Sequence, residues 1–282
     1  MTGAPTLPPE GWYPDPENAL RERYWDGDRW SDEYREPQVG HHIENESDPP
    51  KPLGVMSKVV IAGLVVAVLV ELNNIAADLN YVSLISDQLD GNGPTRLELE
   101  EAQDRVGAAG IAVGVSYLAV ALFAFIPWFH RAYANLRRLG VQHMRYKPGW
   151  AIGAWFIPIF NLFRPKQIAN DIWRASATDA TVGNQTWHER PAGTVVHWWW
   201  GLFLLAGFVV GGAGNVIATA NNKPLDTRAQ VNEALELERV GYTMDAAGSL
   251  ISVAAAALAI IVVRKVSAMQ TETIEEARAD GP

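Results

Sequence analysis

The sequence predicts an all-α integral membrane protein with four transmembrane helices. Three observations carry that reading. Val55–Ala77, Val106–Phe129, Val195–Ala220 and Thr243–Val263 are each apolar over about the 20 residues that a bilayer requires. Their connectors differ in charge, one basic and two acidic. The apolar residues also run on continuously, whereas in a soluble fold they recur at period 3.6 or 2. The competing reading is a set of helices buried in a large soluble core. Against it, Val106–Phe129 carries no charge, and Thr243–Val263 carries only Asp245, near its start. A mean hydropathy of -0.03 looks soluble because a polar N-terminal region and acidic connectors dilute the apolar stretches.

The chain divides into a small module (1–36), a flexible linker (37–52), a transmembrane domain (53–266) and a C-terminal tail (267–282). In the module, Gly11-Trp12-Tyr13-Pro14-Asp15-Pro16 precedes Arg23-Tyr24-Trp25-Asp26-Gly27-Asp28-Arg29-Trp30. Asp26-Gly27 between aromatic residues signals a β-hairpin turn. The rings at Trp12, Tyr13, Tyr24, Trp25 and Trp30 either hold a miniature core together or present a groove to a proline-rich peptide. The linker is polar and ends in prolines. Residues 1–50 lack a basic start followed by an apolar run, so the first crossing helix is expected to serve as its own insertion signal.

Orientation follows the Lys/Arg bias of the connectors. His130–Gly193 holds Arg131, Arg137, Arg138, Arg145, Lys147, Arg164, Lys166, Arg174 and Arg190, against Asp171, Asp179 and Glu189. Asp78–Arg105 and Asn221–Tyr242 are acidic. The basic connector and both termini are therefore expected in the cytoplasm of a cell-membrane protein. Trp128 and Trp198–Trp200 fall at inner helix ends, where indole rings favour the headgroup layer.

The two halves resemble each other. Leu97-Glu98-Leu99-Glu100 leads to Ala108-Ala109-Gly110 at the spacing by which Leu235-Glu236-Leu237-Glu238 leads to Ala246-Ala247-Gly248. Asn73-x-Ile75-Ala76 answers Asn215-x-Ile217-Ala218. This fits two repeated hairpins about an axis along the membrane normal, or chance similarity between alanine-rich segments. Gly110 with Gly114, or Gly207 with Gly211, is expected to let helix backbones approach closely.

Gly149–Phe163 is apolar and aromatic but short, broken by Pro158 and flanked by basic residues at both ends. It reads as a re-entrant or interfacial segment on the cytoplasmic side. The next stretch sets Ile168, Ile172 and Ala175 opposite Gln167, Asn170, Asp171 and Arg174, an amphipathic helix suited to the membrane surface. Trp155, Arg164 and Lys166 are the candidate lipid or headgroup residues, the alternative being a structural plug.

Two resemblances follow from these motifs. GWYPDP, then RYWDG and a tryptophan three residues on, over about residues 9–36, resembles domain-of-unknown-function family 2510, typical of the N-terminus of actinobacterial membrane proteins. Trp155-Phe156-x-Pro158-x-x-Asn161-Leu162-x-Arg164-Pro165, followed by Trp173, is similar to domain-of-unknown-function family 4328 over most of residues 55–265. The second resemblance implies a multi-helix integral membrane protein, and neither family carries an activity to transfer.

The chemistry is sparse. There is no cysteine, hence no thiol or disulfide chemistry. A net charge of -9 argues against a nucleic-acid partner. No phosphate-binding glycine loop, nucleophile elbow or HExxH spacing occurs, so no catalytic residue, metal site or cofactor is expected and an enzyme ranks last. His130, His143, His188 and His197 fall on one side without an acidic partner at ligand spacing. Glu71, Asn74 and Asp78 share one helical face, with Asn215 and Asp245 near the same depth and Arg105 able to neutralise a carboxylate. They form either an outer-facing polar cavity or a structural cluster wetted at the interface. Two functions follow. The first is recruitment or scaffolding at the cytoplasmic face, where Trp12, Tyr24, Trp25 and Trp30 contact a soluble protein. The rival is a small transporter or channel built on Glu71, Asn74, Asp78, Arg105 and Asn215. The oligomeric state is open, and membrane lipid is the remaining expected partner.

Overall fold

The structure, a computed structural model, describes residues 10–15, 18–35, 49–176 and 187–279. The chain forms two compact units, Met1–Pro49 and Pro50–Pro282.

The first unit is a three-stranded antiparallel sheet in the order β1-β2-β3: β1 Gly11–Asp15, β2 Asn18–Trp25 and β3 Trp30–Arg35. The β2–β3 hairpin is the one signalled by Asp26-Gly27. Its connection spans four residues, because the Asp26 carboxylate accepts from the backbone N–H of Asp28 (2.9 Å) and Arg29 (2.7 Å). Gly27 takes φ +98°, a conformation that side chains disfavour. The two backbone donors hold the Asp26 carboxyl below its usual range. Trp25 pairs with Trp30 across the hairpin, their rings edge to face at 5.2 Å. Linker residues 36–48 lie outside the described residues.

The second unit is helical: α1 Gly54–Leu89, α2 Arg96–Val120, α3 Ile126–Arg138, α4 Trp150–Gly153, α5 Pro158–Asn161, α6 Arg164–Ala175, α7 Thr194–Asn221 and α8 Arg228–Ala279. Four helical stretches are long and apolar enough to cross a membrane: Gly54–Leu89, Arg96–Arg138, Thr194–Asn221 and Arg228–Glu276. They contain the four sequence segments and overrun them, Gly54–Leu89 mainly at its C-terminal end and Arg96–Arg138 and Arg228–Glu276 at both ends. α1 continues to Leu89 and α8 begins at Arg228, so the acidic connectors shrink to short turns. α1 is about 54 Å long at 1.5 Å per residue, well beyond a hydrocarbon core of roughly 30 Å. The expected C-terminal tail is likewise helical as far as Ala279.

Local chemistry sets these boundaries. Thr95 caps α2 in a complete capping box with Glu98, whose carboxyl the Thr95 hydrogen bonds hold below its usual range. α2 runs into α3 through a π-turn, Ala121–Phe125. Pro127 lacks the N–H that the Phe123 carbonyl would take, and the helix widens so that Ile126 donates to Ala121. Pro158 opens α5 after the extended Ile157, which breaks Gly149–Phe163 into two single turns that do not form one long helix.

The main core lies at the end of the bundle carrying α3 and α6. Trp128, Phe129, Tyr133, Leu136, Ile168, Ile172 and Trp187 are all buried there. The apolar face of α6 therefore packs into protein, which corrects its expected place on a membrane surface. The tryptophan belt is corrected as well. Trp128, Trp199 and Trp200 are buried, and Trp128 Nε1 donates to Ser267 Oγ at 3.0 Å, whereas Trp198 is exposed. A smaller core at the other end joins Tyr81, Ile85, Ala102 and Val106 to Leu235 and Tyr242.

The close helix contacts fall on glycines other than those expected. A Cβ on Gly114, Gly207 or Gly211 would meet open space. One on Gly241 would come within 2.5 Å of Ile217, and one on Gly248 within 2.7 Å of Val210. These two glycines, two helical turns apart, form the α7–α8 seam. The pairing of α1 with α2 and of α7 with α8 matches two hairpins, and the long α8 also packs along α1.

Candidate functional site

Where the smaller core meets the apolar bundle, α1 presents Glu71, Asn74 and Asp78 inward, each no more than 2% exposed. The spacings of three and four place them on one face, as the sequence indicated. α8 brings Asp245 to the same face. Asn74 Nδ2 donates to Asp78 Oδ2 at 2.9 Å and to Asp245 Oδ2 at 3.2 Å. The Asp78 and Asp245 carboxyls are thereby neighbours, bound to the same amide nitrogen. The Tyr117 and Ser249 hydroxyls stand beside Glu71. One layer further along, Tyr81 donates to Glu238 Oε2 at 2.6 Å, and its ring meets Tyr242 edge-on at 5.0 Å.

Two of the expected members are elsewhere. Arg105 is exposed and its Nε turns back to the Glu101 carbonyl at 3.3 Å. Asn215 is exposed and donates to the Gly211 carbonyl at 2.8 Å. The reason is helical phase: Asn215 lies on the outer face of α7, and Arg105 lies to the side of the α2 face that buries Ala102, Val106 and Ala109. The nearby Arg239 is bound to Glu236 at 2.6 Å. The cluster thus joins Asp78 and Asp245 through one amide, with Glu71 on the same face of α1. Within it Glu71 Oε2 and Asn74 Oδ1 have no hydrogen-bond partner among the described residues. Among the described residues, no group of three or more His, Cys, Asp or Glu has the geometry to hold a metal ion.

The candidate headgroup residues are bound into the protein. Trp155 packs against Phe125 (5.7 Å), Phe129 (5.8 Å) and Trp200 (6.0 Å). The Arg164 guanidinium lies 3.8 Å from the Trp150 ring centre and 3.9 Å from that of Phe160, a cation–π sandwich. Lys166 is half-buried, and its ammonium is held below its usual range by burial and by Arg174. Beside them Asp171 is fully buried, with Arg145 Nε at 3.6 Å and both carboxylate oxygens short of a hydrogen bond. Burial pushes the Asp171 carboxyl up to about 6, against the opposing pull of Arg145 and Arg174.

Of the module residues named for partner binding, Tyr24, Trp25 and Trp30 are half-buried. Trp12 pairs with Tyr24 in the sheet, and its side chain lies outside the described ones.

The main core also holds a polar node that the sequence does not announce. Fully buried Gln270 donates to the Ala132 carbonyl (2.9 Å) and to Ser176 Oγ (3.0 Å), and it accepts from Asn135 Nδ2 (3.1 Å). Asn135 in turn holds both backbone groups of Lys51. The only sequence signal was a glutamine in what reads as a polar tail.

No curated protein and no solved structure matches the chain. Residues 11–42 match a family described as a protein of unknown function (DUF2510). Residues 92–268 match a domain of unknown function (DUF4328). This second span begins after α1, later than the sequence motifs suggested, so Glu71, Asn74 and Asp78 stand outside it while Asp245 stands within. Since that match covers more than half of its length, the chain belongs to the DUF4328 family.

Proposed function

We propose that this is a multi-pass membrane protein that takes up protons at the Glu71–Asn74–Asp78–Asp245 cluster, in the manner of a small proton-coupled transporter. The observation that carries the reading is a pair of carboxylates bound to one amide, with a third, buried Glu71, on the same face of α1 inside an apolar bundle and the nearby arginines turned away. Ionised carboxylates without a counter-cation are costly in such surroundings. Asp78 and Asp245 can share a hydrogen bond only if a proton lies between them. Orphaned acceptors at Glu71 and Asn74 offer places for further donors.

Membrane insertion is supported by the bundle's surface. Exposed Val59, Val66, Leu69, Ile111, Leu118 and Phe208 leave much of each candidate span uncovered by protein. With the basic connector in the cytoplasm, both termini are inside and the Asp78 end faces out. Glu71 then sits about 24 Å along α1 from Val55, within the hydrocarbon layer, and Asp78 near its outer edge. Trp150–Phe163 lies at the inner interface. The test is proton flux into liposomes reconstituted with the full chain. Glu71→Gln and Asp78→Asn should abolish it, and wild-type liposomes no leakier than empty ones would refute the reading.

A second reading is recruitment of a soluble protein through the N-terminal module. It is favoured by the separate compact unit Met1–Pro49 and by that unit's own family match. Deleting residues 1–50 should remove a specific co-purifying protein, and an unaltered set of partners would refute it.

A further inference from the structure

Arg164 and Trp155 are occupied by aromatic neighbours, but another cation of the basic end, Arg131, lies beside the π-turn. Widening the helix at Ala121–Phe125 turns Leu122 and Ile126 toward the Trp150–Phe163 segment, and Ile152 and Phe156 close the other wall. Between them runs an open groove of about 370 Å³. Phe156 (61%), Ile152 (40%) and Leu122 (36%) expose hydrocarbon along it, while Ile126 is nearly buried. His130 and Arg131, one turn along α3, stand at its polar end.

We infer that this groove binds one anionic phospholipid, with an acyl chain lying against Leu122, Ile126, Ile152 and Phe156 and the phosphate held by Arg131 and His130. The inference rests on the membrane reading above. The occupant is argued from complementarity. A phospholipid has an apolar chain joined to a phosphate, and the groove joins an apolar trough to a guanidinium. The planar guanidinium fork pairs two phosphate oxygens at once, and the imidazole adds a donor. The surroundings agree, for among the described residues no Asp or Glu lines the groove. A second opening at the same end, bounded by Lys58 and Arg264, is also lined by Glu272 and Glu275, which would repel an anion. Hence the lipid contact falls on residues other than those marked by the charge flanks of Gly149–Phe163. The flanking Arg164 is consumed in positioning the segment that forms one wall.

The test is native mass spectrometry of the full-length chain, purified in detergent and offered equal amounts of palmitoyl-oleoyl phosphatidylglycerol and phosphatidylcholine. Wild type should retain one phosphatidylglycerol in preference. Arg131→Gln should lower that retention about fivefold, the worth of one interfacial basic residue, and leave phosphatidylcholine unchanged. Phe156→Ser, at an exposed position, should weaken both lipids, and Arg264→Gln should change neither. His130→Gln gives a second reading of the headgroup end, and unchanged elution and circular dichroism certify the fold of each variant. Equal retention of the two lipids by wild type would overturn the proposal. So would undiminished retention by Arg131→Gln, a loss caused by Arg264→Gln instead, or displacement of the lipid by an equal concentration of soluble glycerol phosphate. A chain that leaves cells without detergent would fail the membrane reading itself. A detergent-dependent chain with no lipid preference would fail this site alone.

Discussion

The side-chain amide of Asn74 reaches across the bundle to Asp245, 171 residues away, at 3.2 Å, while holding Asp78 of its own helix at 2.9 Å. One nitrogen thereby binds two carboxyl groups at once, and its bond to Asp245 ties α1 to α8. Removing it leaves both without that donor, so Asn74→Leu should lower stability by about 1–3 kcal/mol. Thermal unfolding in detergent measures this. A midpoint unchanged from wild type would show that Asn74 is not the link. In liposomes the same variant should alter proton flux, since Asp78 and Asp245 lose the group that sets their distance.

Gln270 is the corresponding tie at the other end, making hydrogen bonds to α3, Ser176 and Asn135. Gln270→Ala would orphan several buried groups at once and should cost roughly 2–4 kcal/mol, more than one ordinary hydrogen bond. Gln270→Glu should fare no better, because a carboxylate cannot donate to the Ala132 carbonyl. Equal stability of Gln270→Glu and wild type would contradict the assigned donors.

The α7–α8 seam predicts a site intolerant of a single methyl. Gly248→Ala would press its Cβ on Val210, including the backbone nitrogen at 3.2 Å, and should destabilise by about 1–3 kcal/mol. Gly207→Ala, on the open side of α7, should be neutral or slightly stabilising, as alanine suits helices better. Paired unfolding curves decide it, and the reverse order would refute the seam.

Asp171 gives a pH dependence of definite sign. Its carboxyl titrates near 6 in the fold, against an ordinary value of 3.8. Below the lower value it is protonated in both folded and unfolded states, with its stabilising share fully present. As pH rises through the interval, the unfolded chain loses the proton first, so stability falls until both forms are ionised. The loss is at most about 3 kcal/mol. Asp171→Asn should flatten the unfolding midpoint between pH 4 and 7, and an unaltered slope in the variant would assign it to other groups.

Much of the architecture was legible because its determinants are local. Four uninterrupted apolar stretches, the Thr95–Glu98 capping box, the Asp26-Gly27 turn and the Pro158 break each act within a few residues. Three of the four residues of the polar cluster were legible for the same reason, since Glu71, Asn74 and Asp78 share a face by helical spacing alone.

What the sequence could not decide was which faces meet. Arg105 and Asn215 sat at the right depth but on the wrong side of their helices, whereas Asp245 sat on the right one. The glycines of the seam, the burial of Trp128 and the Asn135–Gln270 node depend in the same way on the rotation and offset of α7 and α8 against their neighbours. Hydropathy records whether a helix is apolar, not its angle about its own axis. In a bundle apolar on nearly every side, that angle is set by interlocking shape and by the few polar groups that must find partners, and both exist only once the helices have assembled.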